Sequence, residues 1–313
     1  MSLLLIDKPE GPTSHAVVAL VKRTLKADKV GHLGTLDPFA SGLLPIMIGN
    51  TARLSDYAMD GKKGYVFTIG FGRETDTLDP TGKVIAEADL PETTSIASLN
   101  QTLQKFTGTI EQVPPVYSAL KMNGMPLYEY MRATGKLPAD IETKRRSVVV
   151  HSMEILESSI EKVVLRVVCS KGTYVRSLAR DIAKALNSVG TCIQLRRELV
   201  EPWHVNNALA LKIDANGKLM PADPELLAGK LMPAWSVVPH LARARISQEH
   251  EMRLQSGNTL LLKFSDLHWE EDNKPNPETQ TIFLGSGQTL FVCETSQPSE
   301  VDCIKIQPRK RII

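Results

Sequence analysis

A glycine-rich segment places one carboxylate where it could react with a ligand. Residues 31–42 read GHLGTLDPFASG, with His32 near the start and Asp37 directly before Pro38. Glycine lets the backbone approach a ligand closely, and proline holds the preceding residue in an extended or turn conformation. We therefore expect Asp37 at the tip of a shaped loop, where its carboxylate would be presented to a ligand. The alternative from residue types alone is an Asx turn, which aspartate before proline favours.

The tetrapeptide Thr-Leu-Asp-Pro occurs twice, at residues 35–38 and 77–80, so it cannot identify a site by itself. GHLG precedes the first copy and FASGLLP follows it, whereas the second copy lies in the polar phrase TDTLDPTGK. These surroundings predict that the second copy is a structural turn. Its Asp76 and Asp79 could nevertheless meet a partner.

Aromatic and basic side chains are interleaved between residues 112 and 146, after a start that contains Pro114 and Pro115. They include Tyr117, Lys121, Tyr128, Tyr130, Arg132 and Lys136. Such a mixture suits flexible RNA, because bases stack on aromatic rings and phosphates pair with cations. A solvated loop on the surface of the domain explains the same pattern.

The composition is that of a folded globular protein, with 42% hydrophobic and 23% charged residues among 313. It excludes a disordered, collagen-like or coiled-coil chain. The formal net charge is only +2, so any anion-binding surface must come from local arrangement rather than from an overall basic field. The cysteines are far apart and form no CxxC pair, which predicts reduced core thiols and no zinc site. They are Cys169, Cys192, Cys293 and Cys303.

Signals for export or membrane insertion are not evident in the sequence. The apolar run before Asp7 spans only residues 3–6, which is too short for the core of a signal peptide. No apolar stretch approaches the roughly 20 residues of a membrane span. We therefore expect a cytoplasmic protein without membrane contact.

The spacing of apolar residues predicts alternating strands and helices up to about residue 240. Strands are expected at 3–6, 65–71, 147–155, 162–169 and 191–199, and helices from Ser14 as N-cap through Leu25, at 96–106, and from the Gly172 turn through Leu186. A proline-containing stretch at 232–245 marks a candidate domain boundary. Short strands beyond it, at 260–264, 281–284, 290–293 and 301–306, predict a small β-barrel or sandwich.

Several segments together resemble a known family. In order they are KPEGPTSHAVVALVKR, GHLGTLDPFASGLLP, YVFTIGFGRETDTLDPTG, VPPVYSALKMNGMPLYEY, SKGTYVRSLARDI and QLRR. They are similar to the motifs of the TruB family of bacterial tRNA pseudouridine synthases, from residue 3 to about residue 240. The resemblance implies an α+β catalytic domain over residues 1–242, with helices packed on a mixed, mostly antiparallel sheet and an RNA-contacting insertion at about 112–146. Residues 243–313 look like the PUA-type RNA-binding barrel of that family.

The resemblance implies that the protein isomerises the T-loop uridine at position 55 of tRNA to pseudouridine. The aspartate would attack the target nucleoside, the glycosidic bond would break, and the uracil would turn before its C5 is rejoined to the sugar. The family implies no cofactor, no metal, the T-arm of tRNA as partner and no obligatory protein partner. We expect a monomeric, standalone enzyme, because the Lys-rich extensions of related guide-RNA-dependent enzymes are absent here. A role as a tRNA-folding chaperone could coexist with catalysis.

The resemblance also assigns roles to individual residues. Asp37 matches the catalytic aspartate, and Arg176 matches the arginine that pairs with it and, as a nearby cation, should hold its pKa down. Tyr65 matches the aromatic residue that stacks on the flipped uracil. Tyr174 matches a tyrosine near C5, where a proton is finally lost. Taken singly, Tyr65 could be plain core, Tyr174 a packing residue and Arg176 a solvated cation.

Further residues of the same segments are expected to contact the RNA. His32 would occupy space among the loop nucleotides and help to extrude the target, and Leu195 would form an apolar wall. Substrate contacts are also expected from Lys8, Gly31, Lys171 and Arg196. Taken singly, these are an ordinary loop histidine, plain core and solvated surface. Three departures from the family wording, Leu33 for a usual threonine, Phe39 after the proline and Met131 in YEYMR, indicate local repacking.

Two other classes of function stay open on the sequence. An RNA chaperone would need the aromatic and basic residues but not the carboxylate, so the presence of Asp37 favours an enzyme. A carboxylate-dependent nucleoside hydrolase would act on a small molecule. The basic, aromatic insertion and the separate C-terminal part favour a macromolecular substrate instead.

Overall fold

The secondary structure up to residue 240 alternates between strands and helices, as the apolar spacing predicts. The structure is a computed structural model that describes residues 1–58, 61–118, 121–122, 125–134, 145–269, 280–285, 289–296 and 303–312. The strands of this part are β1 (Ser2–Lys8), β2 (Val30–His32), β3 (Ser41–Ile48), β4 (Lys63–Phe71), β5 (Arg73–Thr75), β6 (Val84–Glu87), β7 (Gly108–Gln112), β8 (Lys121–Met122), β9 (Met125–Pro126), β10 (Arg146–Ser158), β11 (Lys162–Cys169), β12 (Gly190–Val200), β13 (Trp203–His204), β14 (Leu209–Ala210) and β15 (Met232–Pro233). The helices are α1 (Ser14–Thr24), α2 (Ile96–Gln104), α3 (Leu127–Thr134), α4 (Val175–Ala185) and α5 (Pro224–Ala228), with short 3-10 turns at Gly49–Tyr57, Val205–Asn207 and Ala234–Val237.

A large mixed sheet forms the centre of the molecule. Its main path runs β14–β1–β3–β12–β4–β11–β10–β7, with β2, β13 and β15 attached to β3, β12 and β1. Within the described residues, neighbouring strands pair antiparallel except β1 with β14 and β3 with β12. The mixed, mostly antiparallel sheet with packed helices is therefore confirmed.

The alternation of side chains along β11 shows how the sheet builds its core. Val163, Leu165, Val167 and Cys169 are buried, and the residues between them are half-buried. Successive side chains of a strand point to opposite faces, so this pattern buries one whole face of the sheet. Helices α1, α2 and α4 contribute apolar side chains to the same buried cluster. The functional segments of the chain are thus anchored on one rigid layer.

The start of α1 differs from the prediction. Thr13, rather than Ser14, is the N-cap, because its hydroxyl accepts a hydrogen bond from the Ala16 amide. Both residue types suit an N-cap, but the Ser14 hydroxyl is turned inward. It accepts a hydrogen bond from the Leu36 amide and donates one to the Leu36 carbonyl, both at 2.8 Å. Helix α1 therefore holds the loop that carries Asp37.

Helix α4 follows the turn at Gly172, whose φ of +83° is a conformation that favours glycine. Leu178 and Ile182 are buried on one face of the helix, as predicted. Arg176 and Ser177 are buried as well. The first turn of α4 therefore brings a cationic side chain into the protein.

A second sheet contains the C-terminal strands. They are β16 (Ala242–Arg245), β17 (Leu260–Lys263), β18 (His268–Trp269), β19 (Gln280–Leu284), β20 (Leu290–Ser296) and β21 (Cys303–Arg311), with helix α6 (Gln248–Gln255) and a 3-10 turn at Phe264–Asp266. Their order is β17–β21–β20–β19–β16–β18, a half-barrel that agrees with the predicted small β-rich part. A mixed apolar cluster that includes Leu5, Val237, Leu284 and Leu290 joins it to the large sheet. The division at residue 242 and the PUA type remain predictions.

Some expectations concern residues outside the described ranges. These are Lys136 and the rest of 135–144 in the insertion, the acidic loop at 270–279, and residues 301–302 of the last predicted strand. The four cysteines are described and are free thiols; Cys303 is half-buried and the others are buried. In the part of the chain that is described, no helix has the length and apolar character needed to cross a membrane.

Candidate active site

A cavity of 190 Å³ lies where the first Thr-Leu-Asp-Pro loop, β4, β12 and the start of α4 meet. Five of the residues that the sequence predicted for the site line it, namely Asp37, Tyr65, Tyr174, Arg176 and Leu195. They come from distant parts of the chain, and the large sheet brings them together. Lys63 and Arg197 also line the cavity.

Arg197 fixes the loop on the N-terminal side of Asp37. Its side chain is fully buried, and it donates Nη2 to the Gly34 carbonyl at 2.9 Å and Nη1 to the Thr35 carbonyl at 3.3 Å. Its Nε donates to the Leu43 carbonyl at 2.8 Å. Because one rigid guanidinium ties the residues just before Asp37 to β3, the position of Asp37 is set before any ligand binds.

Lys8 fixes the other side of the same loop. It is fully buried, and its ammonium group donates to the carbonyls of Pro9 at 2.9 Å, Pro12 at 2.8 Å and Pro38 at 3.3 Å. Burial lowers the pKa of Lys8 to about 8, against the attraction of Asp37, which raises it. The ammonium group therefore binds backbone carbonyls around the loop. Its contact with RNA stays a prediction.

Arg176 joins the two Thr-Leu-Asp-Pro copies. Its Nε lies 2.9 Å from Asp37 Oδ2, and its Nη1 lies 3.3 Å from Asp79 Oδ2. Nη1 also donates to the Thr77 carbonyl at 2.6 Å, and Nη2 to the Tyr117 carbonyl at 3.0 Å. The side chain is 4% exposed. Arg176 is thus a buried clamp with charged and neutral acceptors, and not a solvated cation.

The second copy is a structural turn that also meets a partner. Asp79 Oδ1 accepts hydrogen bonds from the hydroxyls of Thr77 at 2.8 Å and Thr81 at 2.6 Å, and from the Thr81 amide at 3.0 Å. Leu78 has a φ of +60°, which is uncommon for a residue with a side chain. The turn therefore holds the Asp79 carboxylate firmly against Arg176.

The pKa of Asp37 differs from the expectation. Burial raises it above its ordinary value, Arg176 opposes that shift, and the like charge of Asp79 adds to it. The sequence predicts the cation but not the depth of the pocket, and here burial outweighs the cation. The side chain nevertheless keeps 34% of its surface exposed toward the cavity, so the carboxylate can reach a ligand.

Tyr65 and Leu195 form walls of the cavity on the neighbouring strands β4 and β12. Tyr65 is 8% exposed and Leu195 is 6% exposed. Tyr65 lies opposite Arg197 in the strand register. Burial raises the pKa of Tyr65, and Arg197 opposes the rise. The phenol is therefore held in its neutral form, and its ring is fixed at the cavity wall.

Tyr174 is held through its backbone by a residue that the sequence did not single out. Gln112 is fully buried; its Nε2 donates to the Tyr174 carbonyl at 3.0 Å, and its Oε1 accepts from the Tyr174 amide at 2.7 Å. Tyr174 is the N-cap of α4 but makes no capping hydrogen bond with its side chain. The ring therefore stays available to line the cavity.

His32 and Gly31 lie just before the cavity-lining part of the loop. They belong to β2, which pairs with β3. His32 is half-buried, and burial, followed by the charge of Arg197, lowers its pKa. Its Nδ1 is buried, with no hydrogen-bond partner among the described residues. His32 and Gly31 are therefore neighbours of the cavity and not part of its wall.

Lys171 and Arg196 also lie outside the wall of the main cavity. Lys171 lines an adjacent cavity of 240 Å³, which shares Lys63 and Gly34 with the first. Arg196 forms a forked pair with Asp7, with nitrogen–oxygen distances of 3.1 and 2.7 Å. Lys171 therefore lies beside the main cavity, whereas Arg196 alternates along β12 with Leu195 and Arg197 and lies on the opposite face of the strand.

Three wall or support residues had no site role in the sequence analysis, and two of them carried a usable signal. Lys63 lies two residues before Tyr65, and Arg197 lies two residues after Leu195. Alternate residues of a strand share a face, so strand period predicts both in the wall. Burial, and then Arg197, lower the pKa of Lys63 to about 8. Gln112 carried no local signal, because its partner lies far along the chain.

The arrangement can attack a ligand that presents a flat ring. A carboxylate at the cavity mouth is backed by a buried guanidinium, and an aromatic ring and an aliphatic side chain provide walls on which a planar group can stack. Among the described residues, no three His, Cys, Asp or Glu side chains come together as metal ligands.

Comparison with known proteins assigns the family. The model of the TruB family pseudouridylate synthase N-terminal domain matches residues 22–175. A tRNA pseudouridine synthase B of Aromatoleum aromaticum is 42% identical over 259 residues, which are 82% of this chain and 80% of that protein. The chain belongs to the TruB family. A tRNA pseudouridine synthase B of Francisella philomiragia is 45% identical over 210 residues, covering 67% of this TruB-family chain and 68% of the relative.

Solved structures show the same fold. The Cbf5 chain of a Cbf5-Nop10-Gar1 complex aligns with a TM-score of 0.66 and 23% identity, covering 100% of this chain and 85% of that chain. The chain from an archaeal box H/ACA sRNP Nop10-Cbf5 complex aligns with a TM-score of 0.64 and 22% identity, covering 100% and 86%. The relatives confirm the TruB-family resemblance that the motifs implied, and the solved structures show that the shared fold extends through the C-terminal sheet.

Proposed function

We propose that this TruB-family protein is a tRNA pseudouridine synthase that isomerises the T-loop uridine at position 55. The observation that carries the proposal is that Arg176 holds the Asp37 carboxylate at the mouth of a cavity walled by Tyr65 and Leu195. Relatives at 42% and 45% identity carry the name tRNA pseudouridine synthase B. A nucleoside hydrolase would share the carboxylate, but the family membership favours the isomerase.

The reaction uses the carboxylate as a nucleophile. The target uridine leaves its stack and enters the cavity, where its ring stacks on Tyr65 and packs against Leu195. Asp37 forms a bond to the nucleoside, and the bond between N1 and the sugar breaks. The detached uracil turns in the cavity, C5 bonds to the sugar, and the bond to Asp37 breaks so that the carboxylate is regenerated. The proton on C5 is lost, and N1, which has given up its bond to the sugar, takes up a proton. Enclosure of the base prevents its escape between these steps.

The other site residues support these steps. Arg176 stabilises the ionised carboxylate and opposes burial, which raises the pKa of Asp37. Tyr174 lies where the C5 proton leaves, and His32 fills the space that the flipped nucleotides vacate. Lys171 and Arg196 supply phosphate contacts, whereas Lys8 and Gly31 act chiefly by shaping the loop.

The rest of the proposal concerns the partner. The substrate is the T-arm of tRNA, bound by the catalytic part (residues 1–242), by the insertion at about 112–146 and by a PUA-like part (residues 243–313). The protein works without a metal or cofactor, as a monomer and without an obligatory protein partner. The C-terminal sheet joins the catalytic part through a mixed apolar cluster. This contact would hold the two RNA-binding surfaces in a fixed position relative to each other.

The test compares the wild type, Asp37→Asn and the control Asp28→Asn on an unmodified tRNA transcript. Asp28 is an exposed carboxylate shortly before β2, so its loss removes the same charge without touching the cavity. Pseudouridine is mapped at each position, and tRNA binding is measured in the same salt. We expect modification of the T-loop uridine by the wild type and Asp28→Asn, and binding without modification by Asp37→Asn. Binding without modification by every form would support a pure RNA chaperone instead.

A further inference from the structure

Arg146 stands out among the arginines near the cavity because two nitrogens of its guanidinium group have no hydrogen-bond partner among the described residues. They are Nε and Nη2, and both atoms are buried. The neighbouring arginines are satisfied: Arg176 binds two carboxylates, Arg197 binds three carbonyls, and Arg180 binds Asp181 and the Val113 carbonyl. Buried donors without partners are uncommon in folded proteins and call for an explanation.

The location of Arg146 ties it to the cavity. It is the first residue of β10, and it pairs in register with Gln112, the last residue of β7. Its guanidinium carbon lies 4.3 Å from the centre of the Tyr174 ring. Gln112 holds the backbone of Tyr174, and Arg146 covers its ring. A single register pair at the edge of the sheet therefore grips one cavity-lining residue from two sides.

The turn at Gly172 lies next to the guanidinium. A Cβ built on Gly172 would lie 3.5 Å from Arg146 Nη1, and Gly172 itself lines the cavity. The helix that begins at Val175 has no side-chain cap, so its N-terminal amides add positive potential at the same rim. Arg146 is not itself a lining residue of the cavity, but it lies beside the uncapped helix end and the glycine turn that are.

Among the described residues, no carboxylate pairs with Arg146. Burial lowers its pKa, and the opposing contribution comes from Tyr174. The residue is half-buried, and a cation that is partly withdrawn from water without a counter-charge destabilises the folded protein. Such a group is best explained by an anion that arrives with the ligand. In RNA the anions are the phosphates, and the planar fork of a guanidinium matches a phosphate well.

We infer that Arg146 is a substrate-binding residue whose guanidinium, stacked on Tyr174, binds a backbone phosphate next to the target nucleotide. The inference rests on the proposed function, because that function supplies the RNA. The contact would anchor the nucleotide as it enters the cavity and would press the Tyr174 ring into place. Arg146 thus deepens the site by one phosphate contact and one stacking contact.

The test uses Arg146→Gln and Arg146→Lys, with Arg145→Gln as the matched control. Arg145 is the exposed residue directly before Arg146, so the control removes the same charge from the same strand end. Binding of an unmodified tRNA transcript is measured over a salt series, and pseudouridine formation is measured in single turnover. For Arg146→Gln we expect affinity to fall roughly tenfold and the slope of log affinity against log salt to shrink by about 0.7 to 0.9.

The two variants and the control separate the alternatives. Arg146→Lys should keep the salt slope but lose part of the affinity, since lysine keeps the charge and loses the fork. Arg145→Gln should change affinity less than Arg146→Gln. The thermal midpoint of Arg146→Gln should stay the same or rise, because an unneutralised buried charge is removed.

Two results would overturn the inference. One is an unchanged salt slope and affinity in Arg146→Gln with only a slower single-turnover rate, which would make Arg146 a positioning residue for Tyr174. The other is a lower thermal midpoint with unchanged RNA binding, which would give it a structural role. Failure of the proposed function looks different: the wild type itself would form no pseudouridine.

Discussion

The two Thr-Leu-Asp-Pro copies contact the same guanidinium from different surroundings. Asp37 lies 2.9 Å from Arg176 Nε and keeps 34% of its side chain exposed. Asp79 lies 3.3 Å from Nη1 and keeps 8% exposed. Hydroxyls of Thr77 and Thr81 occupy one oxygen of Asp79. An identical tetrapeptide thus forms a carboxylate that faces a cavity at one place and a carboxylate that braces an arginine at the other.

The difference lies in what holds each copy. The second copy is held by its own side chains, whereas the first is held through its backbone by Ser14, Arg197 and Lys8. A nucleophile must keep a lone pair free, and holding the loop from behind leaves the carboxylate open. Local hydroxyls do the opposite, because they satisfy the carboxylate and fix it. The surroundings, and not the tetrapeptide, decide the role.

The largest effect should come from removing the shared partner. Arg176→Gln leaves two carboxylates near each other without a cation, so we expect the free energy of unfolding to fall by about 3–5 kcal/mol. The single-turnover rate should fall at least about a hundredfold. Urea unfolding and a single-turnover assay measure the two effects. Arg180→Gln, one turn along α4, is the control and should show much smaller changes; equal losses in both variants would contradict the clamp.

Replacing one aspartate at a time by asparagine should affect different quantities. Asp79→Asn should mainly lower stability, and Asp37→Asn should mainly lower the rate. Asp79→Asn should lower the free energy of unfolding by about 1–3 kcal/mol, since charged hydrogen bonds are weakened. Its rate should fall less than that of Asp37→Asn, because Arg176 is loosened and not lost. Asp37→Asn should abolish pseudouridine formation without loss of stability. If Asp79→Asn abolished the reaction at full stability, Asp79 would take part in the chemistry and the comparison would fail.

A smaller effect should follow from loosening the first copy from behind. Ser14→Ala removes both hydrogen bonds to Leu36, so we expect a loss of about 1–2 kcal/mol in the free energy of unfolding and a slower single-turnover rate. Thr13→Ala is the matched control, because it removes the N-cap of the same helix at about 1 kcal/mol but leaves the loop alone. Its rate should match the wild type. Equal rates in the two variants would show that the Ser14 bonds do not position Asp37.

The smallest effect should appear in the pH dependence of stability. The folded protein binds the Asp37 proton more tightly than the unfolded chain, because burial raises the pKa of this carboxyl. The stabilising contribution of the protonated form is therefore present below the ordinary pKa and lost as pH rises through the raised value. Asp37→Asn has no carboxyl to lose this proton. The thermal midpoint of Asp37→Asn minus that of the wild type should therefore increase as the pH rises from acidic to neutral. A constant difference over that range would contradict the raised pKa.

Elements with local patterns were predictable from the sequence, and long-range contacts were not. The alternation along β11 and the four-residue spacing along α4 identify a strand and a helix without knowledge of their neighbours. The N-cap of α1 was assigned wrongly, because Thr13 and Ser14 are equivalent by type and their choice depends on Leu36. The direction of the Asp37 pKa was wrong for a similar reason. Sequence motifs indicate a nearby cation, but the depth of a cavity depends on the whole fold.

Residues of the site followed the same rule. Asp37, Tyr65 and Arg176 were found because their motifs resemble those of a family. Arg197 and Lys63 could have been predicted from the period-two pattern, because it places Arg197 on the same strand face as Leu195 and Lys63 on the same strand face as Tyr65. Gln112 was beyond reach, because nothing near it in the chain indicates that it would bind the backbone at Tyr174.

The register pair of Gln112 and Arg146 has a consequence for how this chain can change over time or be redesigned. The chain leaves the sheet at Gln112 and returns at Arg146, so the segment between them starts and ends at one register pair, which we call the neck. Doubling the length of a flexible loop changes its closure entropy by only about 0.6 kcal/mol. The part of this segment that is distant in sequence from the neck can therefore be lengthened, shortened or replaced. Gln112 would still bind the backbone of Tyr174, and Arg146 would still contact its ring. Substrate range can diversify there without disturbing the reaction chamber.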